Sequence, residues 1–546
     1  MPVPQTQVET FDYIVVGAGS AGCILANRLT ADPACRVLLL EAGREDRTIW
    51  MKVPYGYANT IGNPAYDWCF ETAPEPELHN RKIPHPRGKA LGGSSSINGL
   101  FQVRGQAGDY DHWRQLGLEG WGWNDVLPYF IKHEDYKGGA SAVHGAGGEL
   151  GVEPQRNWWP VLDVVKEAAR QAGCKECADF NAGDNEGIGL YHAITRNGVR
   201  QSTARAFLKP VRGRRNLKVE TQALAQRILF EGRRAVGVTY RQGGELKTAH
   251  ARREVIVSTG AIKTPQLLQV SGVGPGALLS QHGVPVVLDR PGVGENLQDH
   301  LQVMLVYRLE GIGTLNQAVN SLYGKMKIFA QYVLSRSGPM GSGATPLGIF
   351  VRSDNDHDRA NIAFTILPYS RATAGLKAEF NAEPGLTVSV YDCRPTSRGT
   401  IRLTGSEMAD PPDIRFNYLT TEHDRRVAVD AMRFARKLMR QPAVAPYKPV
   451  ETKPGPQTGD DDASLLEAFR EGATTIFHPV GTAKMGRRED AMAVVDARLR
   501  AIGLDGLRVV DASVMPTVTS GNTNAPTMMI AEKASEMILQ DARQPA

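Results

Sequence analysis

The chain has 546 residues, of which 42% are hydrophobic and 22% are charged, and its formal net charge is +5. This length exceeds one ordinary core and predicts two domains of a globular protein. No apolar run reaches the ~18 to 20 residues of a membrane span, and the basic residues are scattered along the chain, which argues against nucleic-acid binding.

The N-terminus and the cysteines predict a cytoplasmic protein. The first residues, MPVPQTQVET, carry neither a basic start nor an apolar signal core. Among six cysteines, Cys174 and Cys177 form the only close pair, and a lone pair lacks the other ligands of a zinc site. We therefore expect free thiols and no metal site. No amphipathic anchor is evident, so any membrane contact, at the inner membrane, is expected to be peripheral.

In chain order, residues 11–43 have the pattern of a strand, a glycine turn, a helix and a second strand. Residues 46–110 are rich in Pro, Gly and aromatic residues, which predicts a long excursion over a bound ligand. Alternating apolar residues predict β-structure over 217–257 and a strand over 399–405. The segment 300–390 gives no clear pattern.

The C-terminal third repeats the pattern of strand, acid and helix that the first segment shows. Residues 422–441 have the apolar spacing of an amphipathic helix, LRVVDASVMP (507–516) predicts a strand followed by an acid, and residues 525–539 predict a closing helix. Similar elements at both ends predict an α/β (α+β) fold, in which a Rossmann-like nucleotide-binding domain (9–305 and 476–541) carries an inserted β-sheet and helix domain (306–475) for the substrate.

Three glycines predict a dinucleotide site. Gly17, Gly19 and Gly22 lie between a strand and a helix, where the missing side chains let the backbone approach a pyrophosphate at the helix N-terminus. Glu41, at the end of the next strand, is placed to accept hydrogen bonds from a ribose. The motif does not separate NAD from FAD. The downstream segments VIVSTGAIKTP and VVDASVMP favour FAD, and the alternative for Asp511 in the second segment is an ordinary helix cap.

Longer motifs identify a family. The chain resembles the glucose–methanol–choline (GMC) oxidoreductases, and most closely the choline-dehydrogenase-like FAD alcohol dehydrogenases of bacteria, from about Phe11 to Ile538. The segments that carry the resemblance are GKALGGSSSINGL (88–100), GAIKTPQLLQVSGVG (260–274), NLQDH (296–300), FHPVGTAKMG (477–486) and VVDASVMPTVTSGNTNAPTMMIAEKA (509–534).

The resemblance implies a set of FAD contacts. Gly17, Gly19, Gly22 and Glu41 would hold the ADP half, and Val219 would touch the adenine side. Gly92, Gly93, Ser95 and Asn98 would lie along the isoalloxazine and ribityl chain, and Asp511 and Ala512 would face the middle of the cofactor. The remaining implied cofactor contacts are Ala18, Ser20, Ala42, Gly99 and Thr527.

The resemblance also implies a catalytic pair, His478 and Asn522, with Asn524 as the rival for the second role. Members that bind flavin covalently do so through a histidine where this chain has Ile97, so the FAD is expected to be non-covalent. Gln102 replaces an aromatic residue of the family motif, which predicts a change of polarity near the flavin.

The residue types suit alcohol oxidation. Histidine, with an ordinary pKa of ~6.5, is the natural base for a hydroxyl proton. An asparagine amide can stabilise the developing alkoxide, while a hydride passes from the alcohol carbon to flavin N5. We therefore expect His478 to act as the base in the oxidation of an alcohol to an aldehyde.

The substrate is predicted from a missing acid. Choline users of the family are similar in placing an acid near the cationic head, whereas residues 341–351 contain none and Pro346 stands at about that position. A buried unpaired cation costs several kcal/mol, so a neutral primary alcohol is expected. Choline oxidation, a hydroxynitrile lyase with structural FAD and a non-catalytic nucleotide-binding module are the alternatives, and oxygen and a quinone both stay open as electron acceptors.

Overall fold

The computed structural model describes residues 9–343, 345–354, 356–372 and 379–543. Its helices and strands are numbered below in chain order. None of the helices in these ranges combines the length and the apolar character that crossing a bilayer requires. The six cysteines form no disulfide in this structure.

The strands are β1 Glu9–Val16, β2 Val37–Leu40, β3 Phe70–Glu71, β4 Pro84–His85, β5 Phe101–Gln102, β6 Glu134–Tyr136, β7 Leu150–Pro154, β8 Gly187–Leu190, β9 His192–Ala193, β10 Thr195–Arg196, β11 Val199–Arg200, β12 Leu217–Glu220, β13 Ala223–Glu231, β14 Arg234–Gln242, β15 Glu245–Val257, β16 Val273–Gly274, β17 Leu288–Asp289, β18 Leu301–Arg308, β19 Leu347–Val351, β20 Ile362–Leu367, β21 Gly385–Asp392, β22 Thr400–Arg402, β23 Asp413–Arg415, β24 Val450–Lys453, β25 Thr474–Thr475 and β26 Leu507–Val509.

The α-helices are α1 Ser20–Leu29, α2 Tyr57–Thr60, α3 Ala107–Gln115, α4 Trp123–His133, α5 Pro160–Gln171, α6 Gly260–Val270, α7 Gly276–Gln281, α8 Leu315–Asn320, α9 Leu322–Ser335, α10 Glu422–Met439, α11 Asp462–Gly472 and α12 Asn524–Asp541. Short 3-10 turns follow several strands, among them Gly93–Ser96 and Ala512–Val514.

The first large sheet confirms the predicted Rossmann-like core. Its strand order is β12-β2-β1-β15-β14-β13, and β26 pairs in parallel with β15. β1 lies between β2 and β15 and runs parallel to both, which explains why its last six residues form a continuous buried run. The closing helix α12 packs against α1, so the two ends of the chain meet in one core as the repeated pattern predicted.

The second large sheet has the order β24-β18-β21-β20-β19-β8, with β25 paired to β18. One face packs on the predicted helix at 422–441, observed as α10, through the ring contact of Phe364 with Phe434. The other face carries Met304, Thr365 and Ser389, which line the central cavity. Because side chains alternate across a strand, one sheet can thus close a core and form a cavity wall.

The predicted domain division stays a prediction, and two details of the sheet bear on it. β8 joins the second sheet by pairing with β19, although residues 187–190 fall within the range predicted for the first domain. β18 begins at Leu301, a few residues before the predicted boundary. The sequence pattern did not indicate β8, because a four-residue strand in which two residues are glycine has little periodicity of its own.

Candidate active site

A large cavity of about 1140 Å³ lies between the two sheets. The first sheet contributes the end of β1 and the turns after it, and the second sheet contributes one face. The predicted excursion lines it as well, through Gly62, Trp68 and Arg87. This volume lies above the ~300–1,000 Å³ of a typical pocket for one small molecule or cofactor, so the cavity has room for a dinucleotide together with a substrate.

Three glycines shape the end of the cavity that lies at the turn between β1 and α1. Gly17 has φ +99°, and a Cβ there would lie 2.5 Å from the carbonyl oxygen of Ser258. A Cβ on Gly22 would lie 1.8 Å from the carbonyl oxygen of Gly17, so Gly22 lets α1 pack directly against the turn. A Cβ on Gly19 would come no closer than 4.0 Å to protein atoms. Gly19 therefore leaves space on the cavity side, next to the N-terminus of α1.

Glu41 follows β2 and lines the cavity next to this glycine turn. Its carboxylate accepts hydrogen bonds from the backbone N–H of Ala18 at 3.0 Å and of Gly43 at 2.7 Å. Burial raises its pKa to about 7, because the loss of water outweighs these two hydrogen bonds and the attraction of Lys89, which act in the opposite direction. A ligand hydroxyl would be a further donor to these oxygens, and the ribose role assigned to Glu41 suits this position.

Most of the predicted contact residues line the cavity, and some do not. Those that line it are Gly17, Gly19, Ser20, Glu41, Ala42, Gly93, Asn98, Gly99, Asp511, Ala512, Thr527, His478 and Asn522. Those placed behind its lining are Ala18, Gly22, Gly92, Ser95 and Val219. The first four shape the turns beneath the wall: the Ser95 hydroxyl, for example, donates to the Gly92 carbonyl oxygen at 2.6 Å. Val219, predicted for the adenine side, is absent from the lining, whereas residues 223–225, a few positions further along the chain, belong to it.

Asp511 performs the capping role that was its alternative interpretation. Its carboxylate accepts from Ser513 N at 2.8 Å at the start of a 3-10 turn, and also from Gly260 N at 2.8 Å and from the Thr264 hydroxyl at 2.6 Å. These bonds join the end of β26 to the start of α6. Burial raises the pKa of Asp511. Asp511 also lines the cavity, so capping and cofactor contact are compatible.

Antiparallel pairing brings two histidines together at the other end of the cavity. β25 pairs with the start of β18, where Leu301 faces Thr475, and beyond it Gln298 and Val480 form a bridge. His300 and His478 lie between these two pairs. The motifs NLQDH and FHPVG, some 180 residues apart, are therefore neighbours on adjacent chain segments.

Hydrogen bonds fix the tautomers of the two histidines. His300 Nε2 lies 3.0 Å from the carbonyl oxygen of Cys393, which can only accept, so this nitrogen carries a proton. In neutral His300, Nδ1 is then an acceptor, and His478 Nδ1 donates to it over 2.9 Å. His478 Nε2 is left with its lone pair toward the cavity, where the Asn522 amide donates to it at 2.9 Å. The chain of bonds thus presents a basic nitrogen at the wall.

Asp299 holds the backbone of this loop. Its carboxylate accepts from His478 N at 2.6 Å, from the Thr475 hydroxyl at 2.5 Å and from the Tyr418 hydroxyl at 2.7 Å. Burial alone would raise the pKa of Asp299, but these donors, together with His85, hold it below its ordinary value. Phe477, just before His478, has φ +71°, a strained conformation that this anchoring maintains.

Burial keeps both imidazoles neutral. It lowers the pKa of His478 well below its ordinary value, and the neighbouring His300 adds to the effect because two cations would repel. Burial also lowers the pKa of His300. A histidine that stays unprotonated into mildly acidic solution is available as a base across the neutral range.

The loop before α12 positions Asn522 next to His478. Gly521 has φ +154°, and a Cβ there would lie 2.5 Å from Cγ1 of Val103, so only glycine fits. Asp109 anchors the preceding residue, Ser520, through its backbone N–H at 2.7 Å and its hydroxyl at 2.9 Å. The rival Asn524 instead accepts from the Ser20 hydroxyl at 2.7 Å. The geometry therefore pairs His478 with Asn522.

Sequence reasoning assigned no role to three residues near the site. His300 and Asp299 lie in the quoted NLQDH motif, and an acid next to a histidine was the signal that could have drawn attention to them. Lys263 lines the cavity while donating to Gln266 Oε1 at 2.7 Å and to the carbonyl oxygen of Met408 at 3.0 Å. Burial lowers its pKa to about 8. Nothing in the local sequence distinguishes Lys263 from a surface lysine.

Gln102, which was predicted to change the polarity near the flavin, does not line the cavity. Gln102 is buried outside the lining, and its side-chain amide has no hydrogen-bond partner among the described residues. Its neighbour Phe101 lines the cavity instead, since adjacent residues of a strand point to opposite sides. Ile97 also lines the cavity and offers no atom for a covalent bond to flavin.

The cavity fits the FAD implied by the resemblance. At one end, glycines and the N-terminus of α1 provide the close backbone approach and the positive end of a helix dipole that a pyrophosphate requires. Glu41 adds an acceptor for a ribose hydroxyl. The volume extends from there to His478 and Asn522 without a break in the lining. Gly17, Gly19 and Glu41 would hold the nucleotide, and Gly93, Asn98 and Ala512 would lie along its remainder.

Comparisons with known proteins agree with this geometry. Two family models of the GMC oxidoreductases match the chain, at residues 11–302 and 395–531. The chain is 45% identical over 537 residues to the oxygen-dependent choline dehydrogenase of Burkholderia cenocepacia (strain HI2424), covering 97% of this chain and 93% of the relative. The protein of the same name from Burkholderia vietnamiensis (strain G4 / LMG 22486) shows the same identity and coverage.

Solved structures resemble the whole chain. Pyridoxine 4-oxidase from Mesorbium loti superposes with a TM-score of 0.87 at 30% identity, covering 98% of this chain and all of that one. A formate oxidase superposes with a TM-score of 0.90 at 26% identity, covering 98% of this chain and 99% of the other. The similarity therefore extends through both sheets.

Proposed function

The chain belongs to the GMC oxidoreductase family, and from this premise we propose that it oxidises a neutral primary alcohol to the aldehyde with non-covalent FAD. The family supplies the class of enzyme, an FAD-dependent oxidoreductase acting on CH–OH donors. One observation carries the rest of the proposal: the lone pair of His478 Nε2 faces Asn522 on the wall of a cavity whose other end suits a dinucleotide.

In the proposed mechanism His478 Nε2 takes the hydroxyl proton of the alcohol. The imidazole can do so because its Nδ1–H is engaged by His300, which stabilises the ring as it becomes cationic. The Asn522 amide donates to the alkoxide oxygen as negative charge develops. FAD, when bound, supplies the acceptor for the hydride that leaves the alcohol carbon. The proton on His478 and the hydride together account for the two hydrogens lost.

The charges around the cavity favour a neutral substrate. Its described lining contains the carboxylates Glu41, Asp511 and Glu471. The first two accept backbone hydrogen bonds on the nucleotide side, and Glu471 is exposed. Cations are more numerous in the lining: Arg81, Lys82, Arg87, Lys263, Arg371 and Lys453. A quaternary ammonium would therefore enter a desolvated site without a buried anionic partner, which is costly.

Choline is the second candidate, and two observations support it. The curated relatives at 45% identity are choline dehydrogenases. Aromatic side chains can hold a quaternary ammonium by cation–π contacts, and several line this cavity: Tyr57, Trp68, Phe70, Phe101, Tyr191, Tyr369, Tyr391 and Phe477. The choice between the two substrates thus depends on whether aromatic faces can replace the missing acid.

We further propose oxygen as the electron acceptor, with a quinone as the alternative, and a cytoplasmic location with peripheral contact to the inner membrane. The oxidase neighbours and the oxygen-dependent relatives support oxygen. The cysteines, which lie outside disulfides, support a reducing compartment.

An anaerobic absorbance titration of the purified yellow protein tests the proposal. Butanol, benzyl alcohol and choline are added separately, and the flavin absorbance near its visible maximum is followed in a stopped-flow instrument. We expect bleaching by the two neutral alcohols with larger second-order rate constants than by choline. Choline bleaching as fast as either neutral alcohol would reverse the substrate assignment.

The same samples test the remaining alternatives. Absence of bleaching by every alcohol would contradict alcohol oxidation and favour a lyase or a non-catalytic nucleotide-binding module. Admission of air, or of a soluble quinone analogue, to the bleached protein then compares the two acceptors by the rate at which the yellow colour returns. A faster return with the quinone would overturn the assignment to oxygen.

A further inference from the structure

Helix α9 presents an apolar surface to solvent. Of the fifteen large apolar side chains that are exposed in the described residues, six lie on this one helix of 14 residues, with exposed fractions from 51% to 85%. They are Leu322, Tyr323, Met326, Phe329, Val333 and Leu334. Single exposed apolar residues are common on protein surfaces, but a contiguous apolar strip indicates a binding surface.

The exposed residues form one face of the helix. Leu322, Met326, Phe329 and Val333 recur every three or four residues, and the other apolar residues flank them. The opposite face rests on the protein through Ile328 and Tyr332. The Ser321 hydroxyl oxygen accepts from Gly324 N at 2.9 Å and caps the helix. The helix is thus folded and anchored, with its apolar stripe directed away from the core.

Positive charge surrounds this stripe. At about 100° per residue, Lys325 and Lys327 fall on its two opposite edges, and both side chains are exposed. Arg336 follows the helix and is exposed as well. Residues 311–353 contain no Asp or Glu at all. A strip of apolar side chains bordered by lysines is the pattern of a helix that lies in the surface of a bilayer, with its ammonium groups directed toward the headgroups.

We propose that the outward face of α9 docks on an anionic lipid bilayer. A second copy of the chain is a poorer occupant, because a two-fold contact would bring the same lysines of both copies together. An anionic membrane instead complements them, and each basic residue near such a surface adds to the affinity. This proposal departs from the expectation that the chain has no amphipathic anchor, since the sequence pattern alone does not show which face of a helix is buried.

The position of α9 relates docking to the cavity. Ile328 packs against the cluster of Leu367 and Tyr369, and both of these residues line the cavity. The preceding helix α8 is tied to the same segment, where Leu315 N donates to the Pro368 carbonyl oxygen at 2.9 Å. A bilayer on the outer face of α9 would therefore lie behind one wall of the cavity. The idea that apolar substrates or quinones pass from the bilayer to the cavity rests on the proposed function, whereas docking itself does not.

Vesicle flotation with the full-length yellow protein tests the docking. The vesicles contain phosphatidylcholine alone or mixed with phosphatidylglycerol. We expect binding to the mixed vesicles and weak binding to the neutral ones. The pair Lys325→Gln and Lys327→Gln should weaken binding to mixed vesicles roughly 10- to 30-fold. The pair Phe329→Gln and Leu334→Gln should weaken binding to both kinds of vesicle, and at least about tenfold to the mixed ones.

Controls separate docking from misfolding and from self-association. Leu246→Gln removes an exposed apolar side chain of the first sheet and should leave vesicle binding unchanged. Each variant should keep its flavin colour and its rate of bleaching by alcohol in vesicle-free solution. Equal binding of the α9 variants and the parent protein would overturn the proposal. So would a change from dimer to monomer in sedimentation, caused by the α9 substitutions without any change in flotation, because a second copy would then cover the helix. Failure of alcohol bleaching alone would affect only the proposed function.

Discussion

The glycine end and the histidine end of the cavity are built in different ways. At the glycine end, backbone atoms of nearby residues approach each other closely because side chains are missing, as where Gly22 packs on Gly17. At the histidine end, side chains from distant segments form a continuous chain of hydrogen bonds from Cys393 through His300 and His478 to Asn522. The structure of the glycine end depends on close packing without side chains, and the chemistry of the histidine end depends on which nitrogen atoms carry protons. The following substitutions should therefore affect them differently.

The largest effect is expected at the base. His478→Ala removes the only proton acceptor that the proposed mechanism uses, so flavin reduction by alcohol should slow ~10²–10⁴-fold. The flavin content should stay unchanged, because the glycine end is untouched. Stopped-flow bleaching gives the rate constant, and the ratio of visible to protein absorbance gives the flavin content. His282→Ala, at a histidine outside the cavity lining, is the control. A His478→Ala protein that is reduced at the parental rate would refute the assignment.

The next effect should separate Asn522 from Asn524. Asn522→Ala removes a donor to the developing alkoxide and should lower the reduction rate constant roughly 10²–10³-fold. Asn524→Ala removes only the partner of the Ser20 hydroxyl beside α1, so we expect a smaller loss of rate and weaker flavin binding. The same bleaching assay, together with flavin content, distinguishes the two variants. The reverse order of the rate constants would transfer the role to Asn524.

Removal of the positioning residue His300 should cause an intermediate loss in the rate constant of flavin reduction. His300→Leu removes the acceptor of the His478 Nδ1 proton, so the ring can adopt the wrong tautomer. We expect a loss of about 10- to 100-fold in the reduction rate constant, as for other partners that orient an imidazole through its second nitrogen. His300→Gln keeps an acceptor and should recover part of the rate. Equal losses in both variants, at equal flavin content and Tm, would indicate that His300 only fills space.

The smallest rate effect, but a large effect on binding, is expected at the glycine end. Gly22→Ala places a Cβ 1.8 Å from a backbone oxygen and should cost about 1–3 kcal/mol of stability through overpacking. Tm and flavin content should fall, whereas molecules that retain flavin should be reduced at a near-parental rate. Gly213→Ala serves as the matched control, since a Cβ there meets open space. A normal flavin content in Gly22→Ala would contradict the account of this end.

Almost no change is expected when the pH is varied. The folded-state pKa of His478 lies well below its ordinary value, so the basic form persists as the pH falls through the range where an exposed histidine would gain a proton. The reduction rate constant should therefore stay constant between about pH 8 and about pH 6, and it should fall only in more acidic solution. Stopped-flow measurements across this range test it. A titration centred near pH 6.5 would place His478 in contact with water.

The sequence was informative wherever neighbouring residues decide the structure. The strand, turn and helix of residues 9–29, the β-structure after 217, the helix at 422–439 and the closing helix α12 follow from short-range apolar periodicity and from glycines. All four are present in the structure. The residues of the catalytic pair could be named through family motifs, but their contact could not be predicted from either segment alone.

Other features depend on tertiary structure. Val219 was expected at the adenine side, but the register of β12 places it outside the cavity lining. Gln102 was expected near the flavin, but the alternation of β5 turns it away. β8 enters the second sheet through pairing with β19, more than 150 residues away in the chain. In each case, pairing with a strand that is distant in sequence decides where a short strand lies.

The sequence by itself determined the nucleotide-binding turn, because glycine conformations and strand-to-helix transitions are fixed largely by adjacent residues, and its family motifs named the candidate base. Only the tertiary structure decided which nitrogen of His478 is basic and which face of α9 meets solvent. The first depends on a hydrogen bond from His300 to Cys393, and the second on the contact of Ile328 with the cavity wall. Both are long-range contacts, and the energies of such contacts are not encoded in any local pattern of residues.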